Sequence, residues 1–209
     1  MKKLFICILF VLFGNNLSAQ DFQSGYLASQ KGDYAKAMKI WKPLALDGNS
    51  KAQFGIGILY FSGHGIAQNY PEAKKWLMLA ANQKNSEAMV TLGAMYSGGL
   101  GVIQNYKVSN KYYKKAASQG LGVAQGALGY FYKVGENGFI QNKIKSHMWL
   151  NLASANGSKA NSILNESDQT KWYGSKRDAL AKEMTVSEIS KAQAMAQECM
   201  NSNYKKCGY

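Results

Sequence analysis

Apolar residues recur along this chain with two superimposed spacings. At short range, Ala52, Ile56, Leu59 and Tyr60 stand at i, i+4, i+7 and i+8, and Ala88, Leu92, Met95 and Tyr96 repeat the arrangement. That spacing lays them on one stripe of a helix with 3.6 residues per turn. At long range, Ala52, Ala88, Ala124 and Ala160 are 36 residues apart, and so are Gly57, Gly93 and Gly129, and Tyr60, Tyr96 and Tyr132. A fixed period of this size predicts a solenoid, in which stacked units share one continuous core.

Each unit reads as two helices. The first carries the stripe just named and runs into a glycine-rich turn, Gly63-His64-Gly65 in one copy and Gly98-Gly99-Leu100-Gly101 in the next. The second carries Ala73, Trp76, Leu77 and Ala80, matched by Ser109, Tyr112, Tyr113 and Ala116, then by Ser146, Trp149, Leu150 and Ala153. Pro71 stands at the start of one of these, where a missing N–H costs nothing. Gly57, Gly93 and Gly129 interrupt the first helices, where glycine costs roughly 1 kcal/mol against alanine. Three recurrences of a costly residue point to close approach of a neighbouring helix.

In the copy that begins at Ala88, the residues Leu92, Gly93, Tyr96, Gly99, Gly101 and Val102, followed by Lys111, Tyr113, Ala116, Ala117 and Gly120, resemble the Sel-one-like repeat (SLR), a relative of the tetratricopeptide repeat. The copy before it places Ile56 and Ile66 at the Leu and Val positions, and the copy after it has a turn one residue longer, over 135–139. The resemblance implies an all-α fold: a right-handed α-solenoid of stacked αα-hairpin repeats, tetratricopeptide-like, with a C-terminal helical cap. It also implies a concave groove, lined by the first helices, that holds a peptide or a partner helix. The residues on that face are Phe54, Ile58 and Phe61 in the first copy, Val90, Ala94 and Ser97 in the second, and Gly126, Tyr130 and Lys133 in the third. A fully solvated face would be polar, and this one largely is not.

Taken in order, the chain opens with residues 1–19, where Lys2 and Lys3 precede an apolar run and Leu17-Ser18-Ala19 ends in small residues. This is the pattern of a signal peptide cleaved after Ala19, and the run is half the roughly 20 residues that span a bilayer. Residues 20–50 read as a degenerate N-terminal capping repeat, in which Pro43 is expected to kink or shorten the second helix. Three repeats follow at 51–86, 87–122 and 123–159. Residues 160–209 break the period and read as a C-terminal cap. Within it, 167–174 looks like a polar turn, helix resumes near Ser175, and Thr185 with Glu188 forms a capping box that opens the last helix. In an exported chain, Cys199 and Cys207 are expected to pair across a short loop. The whole points to a monomer in the periplasm or the secreted fraction.

The formal net charge is +13, almost all of it lysine, with Arg177 the single arginine. A nucleic-acid reader leans on the planar fork of arginine, so no nucleic-acid partner is expected; weak contact with anionic envelope surfaces remains open, without stable membrane insertion. His64 and His147 lie in different repeats, and no H-x-x-x-H or C-x-x-C motif occurs, so neither metal nor cofactor is expected. No serine sits in a G-x-S-x-G elbow, and Ser202-Asn203-Tyr204-Lys205 is an isolated S-x-x-K without K-T-G. No catalytic residues are identified. The function expected is a non-catalytic interaction scaffold of the bacterial envelope or secreted fraction with a protein or peptide partner. The alternative is a periplasmic hydrolase or a protein that binds β-lactam or peptidoglycan.

Overall fold

The computed structural model describes residues 21–157 and 166–208. The expected signal peptide therefore lies outside the described residues. All regular structure described is helical: α1 (21–30), α2 (Tyr34–Leu46), α3 (Ser50–Ser62), α4 (Tyr70–Asn82), α5 (Ser86–Gly98), α6 (Tyr106–Ala117), α7 (Gly122–Val134), α8 (Lys143–Asn156), α9 (Glu166–Ala181) and α10 (Val186–Asn201). Helices pack on their neighbours in sequence, and the fold class is an all-α solenoid of αα-hairpins with a helical cap. The chain divides into two compact units, Met1–Ala88 and Met89–Tyr209.

In the first unit, Trp41 is the centre of the core. Its indole stacks on Phe22 with ring centroids 5.8 Å apart, and its Nε1 donates to the Phe22 carbonyl at 3.2 Å. Ala28, Ala37, Ala45, Ala52, Ile56, Leu59 and Trp76 close around it. Pro43 lies inside α2, yet the helix continues to Leu46 and matches α4 in length at 13 residues. The expected shortening does not occur. Pro43 falls in the last turn, and its own carbonyl still accepts from Asp47 N at 3.0 Å.

The second unit contains α6 to α8 and the cap. Each junction between paired helices uses the same device. The asparagine before the second helix caps it: Asn105 Oδ1 accepts from Val108 N at 3.0 Å, and Asn142 Oδ1 from Lys145 N at 2.9 Å. The same asparagines donate their backbone N–H to Tyr96 and Tyr132 carbonyls, both at 2.8 Å. The glutamine before each closes the end of the first helix, Gln104 Nε2 to Ser97 O at 2.8 Å and Gln141 Nε2 to Lys133 O at 2.9 Å. In the first unit Gln68 and Asn69 do likewise with Phe61 O and Tyr60 O, each at 2.8 Å. A cap of this kind contributes about 0.5–2 kcal/mol.

The cap departs from expectation at its start. Residues 167–174 are helical, not a turn, because α9 runs unbroken from Glu166 to Ala181. Its polar sequence hides two core residues one stripe apart, Tyr173 and Leu180, which bury against Leu150 and Ala153. The capping box at Thr185 and Glu188 is present in both directions and opens α10. Beyond α10 the chain reverses through two residues in the left-handed region, Asn203 (φ 51°) and Tyr204 (φ 63°). Cys207 is thereby returned to Cys199, and the two form a disulfide with Cα atoms 4.5 Å apart. Tyr204 Oη donates to Asn156 Oδ1 at 2.9 Å, which ties the tail to the end of α8.

The recurrent glycines face second helices at close range. A Cβ on Gly57 would lie 2.8 Å from Leu77 Cγ, one on Gly93 2.9 Å from Tyr113 Cε2, and one on Gly129 2.9 Å from Leu150 Cγ and 3.3 Å from its backbone nitrogen. Gly93→Val is expected to lower stability by about 1–3 kcal/mol, and Gly129→Val by more, because a backbone nitrogen yields less readily than a ring edge. Thermal melts check this; an unchanged midpoint for Gly129→Val overturns the close approach. For the cap, Cys199→Ser with Cys207→Ser should remove about 2–3 kcal/mol of local constraint. Hydrogen exchange should then show protection falling from about Val186 onward and unchanged around Leu92 and Met95.

Candidate functional site

The first helices carry two kinds of position. In α3 the packing side is Ala52, Gln53, Ile56, Gly57 and Leu59, all buried. Phe54, Ile58 and Phe61 stand at i, i+4 and i+7 outside that stripe and are half-buried. Phe61 rests edge-on against Tyr70 at 5.6 Å. In α5, Val90, Ala94 and Ser97 hold the same places and are half-buried too. Ser97 Oγ turns back to the Ala94 carbonyl at 3.3 Å, which spends its hydroxyl within the helix.

The third copy differs. Tyr130 is 48% exposed and lies edge-on to Phe131, while Lys133 is half-buried. Gly126 is buried, because the Tyr173 ring of α9 lies against it, with Tyr173 Cδ1 2.8 Å from where a Cβ would stand. Part of the expected face in this copy is therefore taken up by the protein's own cap. Sequence reasoning had no signal for this, since Tyr173 sits in a stretch with no visible periodicity.

Within each unit the start of a first helix carries a buried glutamine that the sequence reading passed over. Gln53 Nε2 donates to Ala45 O at 3.0 Å, and Gln83 Nε2 donates to Gln53 Oε1 at 2.8 Å. One repeat pair later, Gln125 Nε2 donates to Ala117 O at 3.2 Å, and Asn156 Nδ2 to Gln125 Oε1 at 3.1 Å. Met89 replaces the glutamine in the middle copy, and its Sδ lies 3.4 Å from Gln119 Nε2. The Ala-Gln pair at 52–53 and 124–125 was the available clue.

The chemistry-bearing residues sit apart. His64 stacks on Tyr34 at 4.9 Å, and His147 is buried on α8 with Nδ1 lacking a partner. Among the described residues no group of three or more His, Cys, Asp or Glu converges. Ser202 Oγ donates to Cys199 O and accepts from Lys206 N, each at 2.9 Å, so the hydroxyl serves the end of α10. Burial pushes the phenols of Tyr113, Tyr132 and Tyr173 upward. It also pulls His147 below the usual histidine range, with the Arg177 cation acting the same way and Asp178 opposing.

That depressed value sets a sign. A histidine that resists protonation when folded adds no penalty above its unfolded pKa of about 6.5, and destabilises the fold progressively as pH falls below it. Thermal melts from pH 7.5 to 5 should fall for the wild type, and His147→Gln should flatten that slope. A slope unchanged by the substitution shows that other groups carry it.

A family model described as Sel1 repeat matches residues 50–85, 86–121 and 122–158. Among solved structures, a Sel1 repeat protein from Oxalobacter formigenes is 32% identical, with 63% of this chain and 94% of that one covered and a TM-score of 0.50. A protective antigen present in uropathogenic Escherichia coli strains, displaying an SLR fold, is 22% identical, with 90% of this chain and 47% of that one covered and a TM-score of 0.46. No curated protein matches. Sel1 repeat proteins generally mediate protein–protein interaction. Three matched repeats over more than half of its length place this chain in the Sel1 repeat family.

Proposed function

We propose that this chain is a non-catalytic interaction module that binds a protein or peptide through the first-helix faces of its repeats. The observation that carries the reading is the state of those faces. Phe54, Ile58 and Phe61 on α3, and Val90 and Ala94 on α5, are apolar, outside the packing stripe, and only half-buried. Tyr130 is half-exposed on α7, and an aromatic side chain at that level of exposure is a typical anchor for a partner. Lys133 adds a cation beside it.

We place the protein in the envelope or the secreted fraction. The sequence of residues 1–19 supports this, and the Cys199–Cys207 disulfide is compatible with an oxidising compartment. Among the described residues, no helix is long and apolar enough to cross a membrane.

The test is a photo-crosslinking amino acid placed singly at Ile58, Ser97 and Tyr130, with Lys36 and Glu72 on second helices as controls, in the cell that makes the protein. Discrete adducts are expected from the first three positions and none from the controls. Adducts of equal strength from all five, or from the controls alone, overturn the reading.

A further inference from the structure

A shallow depression lies away from the first-helix face. It occupies about 670 Å³ on α6, and its lining includes Tyr106, Lys107, Lys111, Lys114, Lys115 and Gly138. Gly138 belongs to the turn over 135–139, the one that is a residue longer than its counterparts. Asn110 Nδ2 donates to the Asn137 carbonyl at 2.8 Å, so the longer turn is held against α6 and forms a wall. The shorter turn over 63–66 also lies against a preceding helix, with His64 stacked on Tyr34, but that helix, α2, carries no comparable row of lysines at four-residue spacing.

The charge on this feature is one-sided. Helix α6 has no acidic residue, and the wall has a single exposed carboxylate, Glu136. Among the described residues no carboxylate forms an ion pair with Lys107, Lys111 or Lys115; the ion pairs found join Lys75 to Glu72, Lys143 to Glu183 and Arg177 to Asp178. Lys114 Nζ lies over the Phe139 ring at 5.6 Å, and Lys145 Nζ over the Tyr132 ring at 5.3 Å. Burial lowers the Lys114 pKa, and the nearby Lys145 charge lowers it further, so cations are crowded here against their own repulsion. Next to the depression in sequence stand two isoleucines at the same place in successive turns, Ile103 at 91% and Ile140 at 87% exposure.

We propose that this depression binds an acidic peptide segment of a protein partner, with apolar residues flanking its carboxylates. The spacing fits. Lys107, Lys111 and Lys115 are four residues apart along α6, about 6 Å per step. Alternate side chains of an extended peptide point the same way about 6.6–6.8 Å apart. A run with a carboxylate at every second residue therefore meets the lysine row nearly in register, and the exposed Ile103 and Ile140, close in sequence to Tyr106 and Gly138 of its lining, are the apolar side chains tested as contacts for its flanking residues. The regular lysine spacing favours a chain over a membrane, since lipid headgroups present no fixed spacing along one line. Lysine in place of arginine suits carboxylates met singly rather than a flat base edge or a bidentate phosphate. The inference keeps the reading of a protein partner but concerns a second surface, so each can fail without the other.

The probe is a fluorescein-labelled peptide with glutamate at alternate positions and a leucine pair at each end, titrated into the full chain by anisotropy. Binding is expected, weakening as salt rises. Lys111→Glu with Lys115→Glu should weaken it about tenfold or more, the order expected when two exposed attractions become repulsions. Lys36→Glu with Lys39→Glu makes the same change in net charge on α2 and should leave affinity within about twofold. Ile103→Ser with Ile140→Ser should weaken binding and reduce the effect of the leucine pairs. Equal losses from both lysine pairs would mean that net charge alone attracts the peptide and would overturn the site. Unchanged binding in Lys111→Glu with Lys115→Glu would do the same. Sedimentation with phosphatidylglycerol vesicles, lost in that variant and unaccompanied by peptide binding, would replace the peptide with a membrane surface. Lys111→Gln with Lys115→Gln, checked by thermal melting, keeps the result readable if charge reversal disturbs the fold.

Discussion

The rest of this structure depends on how closely two helices of one repeat can lie. At Gly57, Gly93 and Gly129 the first helix offers no side chain, and the second fills the space with Leu77, Tyr113 or Leu150. Glycine in mid-helix costs about 1 kcal/mol, so each contact must return more than that through burial of the facing side chain. Buried alanines on both sides, Ala52 and Ala80, Ala88 and Ala116, Ala124 and Ala153, extend the approach toward the helix ends. The hairpin is consequently narrow, and its first helix carries its larger residues on the other sides. One side meets the next helix in the stack. The other is the face on which binding is proposed.

A narrow hairpin needs its turn held as firmly as its core. The Gln-Asn pairs at 68–69, 104–105 and 141–142 do this with three hydrogen bonds each: to the first helix's last carbonyls, and to the first turn of the second helix. With both ends of the connection satisfied, the residues between them are free to vary. The third turn uses that freedom, lengthening by one residue while Gln141 and Asn142 keep their bonds. The wall of the lysine-lined depression is the product.

Much of the fold could be read before any coordinates. The 36-residue period, the glycines and the paired helices follow from spacing alone, because solenoid repeats satisfy their geometry locally and so must write it locally. The capping box at Thr185 and Glu188 was legible for the same reason. What escaped was non-local. Residues 167–174 look polar, and they fold as helix because Tyr173 finds Gly126 and a place beside Leu150, neither of which is near in sequence. Pro43 is expected to kink or shorten α2, and because it falls in the final turn the helix keeps its full length to Leu46. The buried Gln53 and Gln125 bond Gln83 and Asn156, about 30 residues away, and a polar residue at a helix start gives no sign that it will be covered. The depression on α6 escaped for a related reason: its lysines read as an ordinary solvated face until the turn of the following repeat closes one side.

The two surfaces raised here are unlike because the physics that produces them is unlike. The first-helix face is a by-product of the narrow hairpin, so its positions recur in each copy with different occupants: Phe61, Ser97 and Lys133 at one position, Ile58, Ala94 and Tyr130 at another. The α6 depression joins a lysine row to the turn held against it by the Asn110–Asn137 hydrogen bond. Such a feature selects by charge at a single place, and electrostatic contacts of this kind set association rate and orientation more than residence time. An acidic segment meeting such a place is oriented by it before closer contacts form.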